Sequence, residues 1–240
     1  MKNILYLTMK LLGPRQTSVH KFMSFGLLLS CLFFSGIAKV WSQDPLRFHE
    51  EIQTLKEKTD SLWNGEKGTV LFTGSSSIRM WEDLQERFPE QNILNTGFGG
   101  SQASDLLYYL EPLVLAYQPK KVFIYEGDND LAEGKSVKQV LKVLDQISEE
   151  VRKDYPEISI VLISAKPSVS RWSLRGKYKR LNKKLERWAA RHQYLDFADV
   201  WNPMLMDKKL NPSLFIADGL HMNASGYDIW ENALKPFITP

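Results

Sequence analysis

Cysteine is almost absent from this 240-residue sequence, because Cys31 is the only one. A single cysteine excludes an internal disulfide and a metal site built on several thiolates. Acidic residues are absent from residues 1–42, and histidine occurs only four times in the whole chain. Internal repeats, linkers and low-complexity tracts are also lacking, which favours one domain after processing. A function that needs histidine must therefore use one of very few positions.

The acid-free segment 1–42 is typical of a secretory signal peptide. Basic residues precede an apolar run from Phe25 to Ala38, and Val40-Trp-Ser42 then places small or medium residues where a signal peptidase reads them. The run is short for a membrane span, which needs about 20 apolar residues. We therefore predict cleavage after Ser42 and a periplasmic or secreted protein without stable membrane insertion. The alternatives are a membrane anchor that is never cleaved and lipidation at Cys31, since Leu28-Leu-Ser-Cys31 faintly resembles a lipoprotein cleavage box.

Removal of residues 1–42 changes the charge balance of the chain. The whole sequence has 31 Lys+Arg against 28 Asp+Glu, and the loss of five basic residues leaves 26 against 28, a net charge of −2. This balance gives no reason to expect a nucleic-acid partner. Residues 171–191 are the exception, with nine lysines and arginines against Glu186 alone. We interpret them as a solvated face, the alternative being a patch for acidic glycans or phospholipid headgroups.

Short apolar runs alternate with helical patterns along residues 43–240. The predicted strands are Val70–Thr73, Ile93–Asn95, Val122–Tyr125, Ile158–Ser164 and Tyr194–Phe197. The predicted helices are 46–63, Ser104–Ala116, Ser136–Lys153 with Ser136 as its N-cap, a helix with an apolar stripe of Tyr178, Leu181, Leu185 and Trp188, and a last helix after Asn223. This alternation predicts an α/β fold, a three-layer α/β/α sandwich with a mostly parallel, doubly wound sheet. The first of these helices, 46–63, is an N-terminal extension that covers the sheet.

Chemically suggestive residues follow the carboxyl ends of these strands, where ligands bind in such sheets. Gly74–Ser77 follows the first strand as a glycine and three serines, and each serine could instead be a helix N-cap. Gly97–Ser101 and Gly127–Asp130 follow the next two strands, and tight turns are their structural alternative. Asp218 precedes His221 by three residues, a spacing that lets the carboxylate bind one imidazole nitrogen and leaves the other as a base. The combination predicts a serine esterase.

These four segments, in this order, resemble the conserved blocks of the SGNH hydrolase superfamily, also called GDSL esterases and lipases. The matching residues are Gly74-Ser-Ser-Ser77 with Trp81, Gly100 counted from Asn95, Gly127-Asp-Asn-Asp130, and Asp218-Gly-Leu-His221 followed by Asn223 and Gly226-Tyr227. The resemblance covers about residues 68–236. The sequence departs from the family at Ser75, where the family usually has Asp, so three adjacent serines compete for the nucleophile position.

The resemblance implies a flavodoxin-like sheet and a role for each matching residue. Ser76 is the expected nucleophile, His221 the base and Asp218 the residue that orients it. The expected oxyanion hole consists of the Ser76 N–H, the Gly100 N–H and the Asn129 side-chain amide. This chemistry needs no metal and no other cofactor.

The expected substrates are small-molecule or carbohydrate esters with short acyl groups, including O-acetyl groups on carbohydrate. Trp172 follows the fourth strand, so it could stack on the alcohol part of a substrate or simply pack its loop. The alternatives are a lipase or thioesterase of the same fold and a non-catalytic glycan-binding module. A nucleotide-binding protein is disfavoured, because the glycines of Asn95–Ser101 lack the Gly-x-Gly-x-x-Gly spacing.

Overall fold

A five-stranded parallel sheet forms the centre of the structure, a computed structural model that describes residues 44–65 and 68–238. The predicted signal peptide lies outside these residues. The strands are β1 (Thr69–Gly74), β2 (Ile93–Gly97), β3 (Pro119–Tyr125), β4 (Ser159–Ile163) and β5 (Leu195–Ala198). All six residues of β1 are buried, as expected for a central strand covered on both faces. The α/β class and the five predicted strands are confirmed.

The strand order is β2-β1-β3-β4-β5, and every neighbouring pair is parallel. From β1 the chain first adds β2 on one side of the sheet, and then returns to add β3, β4 and β5 on the other side of β1. The direction in which strands are added therefore reverses beside β1. At this reversal Gly74, the last residue of β1, pairs with Gly97 of β2 and with Tyr125 of β3. Crevices at such a switch point are the usual ligand sites of doubly wound sheets.

Nine α-helices flank the sheet within the described residues. They are α1 (His49–Leu62), α2 (Ser76–Arg79), α3 (Leu84–Arg87), α4 (Ala103–Tyr108), α5 (Leu110–Leu113), α6 (Asp128–Ala132), α7 (Val137–Asp154), α8 (Arg175–Ala189) and α9 (Ala224–Ile238). Two buried apolar clusters separate the layers: one contains residues of α1 and α4–α8, and the other contains residues of α2, α3 and α9. A small antiparallel pair, β6 (Leu205–Met206) and β7 (Lys209–Leu210), precedes the last helix.

The predicted helix Ser104–Ala116 is wrong as a single element. The structure divides it into α4, α5 and a 3₁₀ turn at Leu115–Tyr117, with the first break at Tyr109. Pro112 explains this break, because proline has no N–H to donate and its ring clashes with the carbonyl four residues earlier. The leucines on both sides of the break still face the core, since Leu106, Leu110 and Leu113 are all buried.

The N-terminal helix α1 packs on the domain through its first turn. The Phe48 ring, just before α1, meets the Phe98 ring edge to face with centroids 5.0 Å apart, and Ile52 is buried in the same cluster. At the start of α7, the Ser136 hydroxyl accepts a hydrogen bond from the Gln139 N–H, which confirms Ser136 as the predicted N-cap. None of the helices in the described residues is both long and apolar enough to cross a membrane.

Candidate active site

The turn between β1 and α2 can be made only with glycine at its first position. Gly74 has φ +123°, and a Cβ there would lie 2.1 Å from the Tyr125 carbonyl oxygen. The tight turn places Ser75 at the cap of α2 and leaves it 2% exposed, while Ser77 is 3% exposed. Ser76 lies between them and is partly exposed. Burial therefore separates the three serines that the sequence left in competition.

A continuous hydrogen-bonded relay joins Ser76 to the loop before α9. His221 Nε2 lies 2.8 Å from Ser76 Oγ, and His221 Nδ1 lies 2.5 Å from Asp218 Oδ2. Ser76 and His221 are 145 residues apart in the chain, so only the fold brings them together. The structure thus brings together the three predicted triad residues in the order that nucleophilic catalysis requires.

The Asp218 carboxylate is held as an anion by its own loop. Its oxygens accept hydrogen bonds from the Leu220 N–H at 2.8 Å and the His221 N–H at 2.9 Å, as well as the bond to the imidazole. Partial burial raises the pKa of Asp218, but the hydrogen bonds from His221 and the backbone outweigh it and lower the pKa to about 2. Asp218 is therefore ionised at neutral pH and can orient the imidazole.

The three predicted oxyanion donors each keep an N–H group that no protein acceptor in the described residues takes up. Within the described residues, the backbone N–H groups of Ser76 and Gly100 donate to no protein acceptor, as an oxyanion hole requires. Gly100 has φ +70° and open space around its Cβ position, so backbone conformation alone explains the glycine. The Asn129 amide donates one N–H to the Ser101 carbonyl at 2.8 Å and keeps its second N–H.

Arg171 sets the orientation of the Asn129 amide. Its guanidinium donates to Asn129 Oδ1 at 2.9 Å and to Asp128 Oδ1 at 2.6 Å. Because a guanidinium only donates, the amide atom that faces it must be the oxygen, and the amide nitrogen must face the opposite way. Arg171 therefore selects the amide rotamer in which Asn129 can act as a donor.

Asp128 is the centre of a buried polar cluster behind the site. Its carboxylate accepts hydrogen bonds from Tyr125 at 2.9 Å and from Tyr178 at 2.5 Å, and Lys166 Nζ lies 3.8 Å away. Burial raises the pKa of Asp128, but Lys166 and Arg171 outweigh it and the net shift is downward. The carboxylate is thus a buried anion compensated by two cations and two phenol groups.

Lys166 connects this cluster to the loop that carries Asp218 and His221. Its side chain is completely buried, and Nζ donates to the Leu220 carbonyl at 2.7 Å, between Asp218 and His221. Burial lowers the pKa of Lys166, and Asp128 partly offsets that effect. The position of the histidine loop and the rotamer of Asn129 therefore depend on one shared set of charges.

Trp172 begins the short 3₁₀ turn that follows Arg171 and packs on Trp201. Its ring stacks on Trp201, with centroids 6.1 Å apart and planes 10° from parallel, and Arg175 lies 5.5 Å from its centroid. The indole is partly exposed. Its predicted role as a substrate platform stays a prediction.

The sequence reasoning missed Lys166 and Arg171. Arg171 was assigned to the basic segment 171–191, but α8 begins at Arg175, and Arg171 lies in the loop before it, paired with Asp128. Lys166 carried a usable signal, because a lysine directly after a buried parallel strand must find an anion or an acceptor. The other two histidines of residues 43–240 are elsewhere: the ring nitrogens of His49 and His192 contact Gln53 and the Trp188 carbonyl.

Within residues 44–65 and 68–238, no group of three His, Cys, Asp or Glu side chains is arranged to hold a metal ion.

Curated protein sequences provide no match to this chain. Solved structures do share its fold. A protein from Streptococcus pneumonia, provisionally named a platelet activating factor, superposes with a TM-score of 0.70 at 24% identity, over 90% of this chain and 99% of that one.

Two further solved structures have the same fold at lower identity. A GDSL-like lipase from Bacteroides thetaiotaomicron gives a TM-score of 0.63 at 22% identity, over 81% of this chain and 97% of that one. A carbohydrate esterase family 3 protein from Talaromyces cellulolyticus gives 0.59 at 16% identity, over 71% and 95%. The model of the GDSL-like lipase/acylhydrolase family matches residues 60–229, which is more than half of the chain. The chain therefore belongs to the GDSL-like lipase/acylhydrolase family and is a hydrolase that acts on esters.

Proposed function

We propose that this site hydrolyses short acyl esters, including O-acetyl groups on carbohydrate, through Ser76, His221 and Asp218. The observation that supports the proposal most strongly is the relay of 2.8 Å and 2.5 Å contacts from Ser76 through His221 to Asp218. These contacts end at Ser76, which is partly exposed, whereas Ser75 and Ser77 in the same turn are buried.

The reaction proceeds in two half-reactions. Ser76 Oγ attacks the ester carbonyl carbon while His221 Nε2 takes the hydroxyl proton, and the carbonyl oxygen becomes an oxyanion. Collapse of this intermediate breaks the bond to the alcohol, which leaves with the proton from His221. Water then attacks the acyl-Ser76 ester with His221 again as base, and the carboxylic acid departs as Ser76 regains its proton. Asp218 stays ionised throughout and stabilises the imidazolium.

The oxyanion is stabilised by the Ser76 N–H, the Gly100 N–H and the free N–H of Asn129. Each donor is held before the reaction begins, the first two by backbone geometry and the third by Arg171. Loss of one such donor typically lowers kcat about 10²–10³-fold.

The surroundings of the triad favour a small acyl group. Two exposed apolar side chains, Val169 and Ile216, border the catalytic loop, where Val169 packs on Gly219 and the Ile216 N–H donates to the His221 carbonyl. Residues 43–240 contain no long apolar segment that could form a lipase lid. One solved protein of similar fold is an acetyl esterase, which agrees with this acyl size, and the carbohydrate esterase described above agrees with an ester carried on carbohydrate. Trp172 is the proposed contact for the alcohol, so Trp172→Ala should raise KM for an acetylated sugar more than for p-nitrophenyl acetate.

A fluorophosphonate probe tests the nucleophile. We expect the probe to label Ser76, and Ser76→Ala to abolish hydrolysis of p-nitrophenyl acetate while the far-UV circular dichroism stays unchanged. Ser77→Ala is the matched control and should keep most of the activity, because its side chain is buried away from the relay. Labelling of Ser75, or a fully active Ser76→Ala variant, would contradict the proposal. Activity that rises steadily from acetyl to long-chain esters would instead favour the lipase alternative.

We also propose that the enzyme acts outside the cytoplasm. The support is the basic, acid-free segment 1–42 with its apolar run. Cell fractionation followed by N-terminal sequencing should find the activity in the periplasm or the medium, with Gln43 as the first residue. Activity that stays with the membrane on the full-length chain would show an uncleaved anchor.

A further inference from the structure

A surface groove runs between α7 and α8. It consists of two adjoining cavities of about 470 Å³ and 610 Å³, and Lys138, Leu141 and Lys184 line both. We call this feature the basic groove. Its lining on α8 extends from Lys177 to Trp188, and the eleven helical steps between these residues rise about 16 Å. The groove is therefore long enough to hold several units of a linear chain.

The basic groove concentrates positive charge. Eight lysines and arginines line it, against Asp145 as the single carboxylate. Lys135 pairs with Asp130, but the other seven form no salt bridge with any residue that the structure describes. Residues 43–240 carry a net charge of −2, so these cations are gathered on one face of a slightly acidic domain. Such a segregated potential raises the local concentration of anionic ligands.

The shape and the floor of the groove indicate the kind of anion. Leu141 and Trp188 are partly buried between the cations, so an indole is available where a sugar ring could stack. A membrane surface is met by convex faces that present apolar side chains to the lipid. The exposed large apolar residues of the described part of the chain are all outside the lining. A concave, cationic groove with an aromatic floor fits an anionic polysaccharide better than a bilayer.

One end of the basic groove reaches the helix that carries Asn129. Leu131 lines this end and belongs to α6, two residues after the oxyanion donor Asn129. Gly127, just before α6, lies against Leu181 of α8 and Val140 of α7. A chain bound along the groove therefore approaches the helix that carries Asn129.

We propose that the basic groove binds an anionic polysaccharide whose acyl esters the Ser76 site removes. The proposal rests on the proposed function and defines its substrate class: a linear glycan that carries carboxylate, phosphate or sulfate groups and is O-acylated. The cations and Trp188 hold the polymer, and the ester-bearing sugar extends past α6 to the nucleophile.

The test compares two charge-reversed double variants. Lys138→Glu with Lys184→Glu alters the groove, while Lys179→Glu with Lys183→Glu changes the same charge on the other side of α8, next to Trp201. The probes are O-acetylated polygalacturonate, O-acetylated glucomannan as a neutral polymer, and p-nitrophenyl acetate. The groove variant should raise KM for the polygalacturonate about tenfold relative to glucomannan, while the control variant stays within about twofold. Added salt should raise the wild-type KM for the charged polymer only.

A binding measurement separates failure of this proposal from failure of the proposed function. Absence of hydrolysis of p-nitrophenyl acetate would overturn the esterase proposal alone. The Ser76→Ala variant should still bind O-acetylated polygalacturonate in calorimetry, and should lose binding when Lys138→Glu and Lys184→Glu are added. Equal effects of the two double variants would overturn the groove proposal. The groove proposal would also be overturned if the wild-type protein sedimented with phosphatidylglycerol vesicles and showed no preference for the charged polygalacturonate over the neutral glucomannan.

Discussion

Positive charge occurs in two contrasting settings in this esterase. Lys166 and Arg171 are buried or half-buried behind the site, and each is matched to defined acceptors, Asp128 above all. Lys138 and Lys184 of the basic groove are exposed and have no salt-bridge partner within the described residues. The buried pair fixes the geometry of the protein, whereas the exposed pair leaves its charge available to a ligand.

The contrast follows from the cost of removing a charge from water. A buried cation persists only when an anion and hydrogen-bond acceptors compensate it, so its position is narrowly determined. An exposed cation remains hydrated, and water tolerates it almost anywhere on the surface. Substitutions should therefore affect stability in the first setting and ligand binding in the second.

The largest effect is expected for Arg171→Met. This change removes one of the two cations that compensate the Asp128 carboxylate and one of the two contacts that orient the Asn129 amide, so we expect a loss of about 3–5 kcal/mol in unfolding free energy. We also expect kcat to fall about 10²–10³-fold, the usual effect of one lost oxyanion donor. Chemical denaturation and p-nitrophenyl acetate kinetics measure the two effects.

Two further variants test whether Arg171 acts through Asn129. Arg171→Lys keeps the charge but cannot reach both oxygens with a planar fork, so its kcat should be intermediate. In an Asn129→Ala background, Arg171→Met should lower kcat little further, because the two effects are coupled. Fully additive losses would show that Arg171 does not position the amide.

A smaller effect is expected for Lys166→Met. The substitution leaves the Leu220 carbonyl without its donor, while Arg171 still compensates Asp128. We expect unfolding free energy to fall by about 1–3 kcal/mol, the cost of a buried unsatisfied group. A variant as stable and active as the wild type would show that Lys166 does not hold the catalytic loop.

The more exposed Asp218–His221 pair should produce a modest pH dependence. Folding lowers the pKa of Asp218 from its usual 3.8 to about 2, so the ionised carboxylate stabilises the native state fully above pH 4. This contribution should be lost as pH falls from about 4 towards 2. The melting temperature of the wild type should therefore approach that of Asp218→Asn in this window. A constant difference between the two proteins would contradict the assigned shift.

The smallest effect on stability is expected in the basic groove. Lys138→Gln and Lys184→Gln remove exposed, unpaired charges, so unfolding free energy should change by no more than about 0.5 kcal/mol. A loss as large as that of Lys166→Met would erase the distinction between the two settings.

Much of the fold could be predicted because its signals are local. Strands β1–β5 were recognisable as short apolar runs, and Ser136 was recognisable as the cap of α7. The one clear error, the helix Ser104–Ala116, arose from following the leucine spacing past Pro112. A proline is itself a local signal, so this break was available in the sequence.

The candidate site also combines features that are local in the sequence with features that depend on the fold. Asp218 and His221 are three residues apart, so their hydrogen bond follows from a single turn of the chain. The family resemblance placed the nucleophile at Ser76 but left Ser75 and Ser77 as competitors, and it is the burial of those two in the packed turn that distinguishes them from Ser76. The pairing of Arg171 with Asn129 joins residues 42 positions apart, one in a loop and the other in α6.

The sequence by itself determined the parallel α/β architecture, the glycine turns and the Asp218–His221 pair, because backbone sterics and hydrophobic periodicity act over a few residues. Only the tertiary structure decided which serine meets the imidazole, which cations are buried and which line a groove. Those outcomes depend on the burial and distance of residues far apart in the chain, and both are properties of the packed fold.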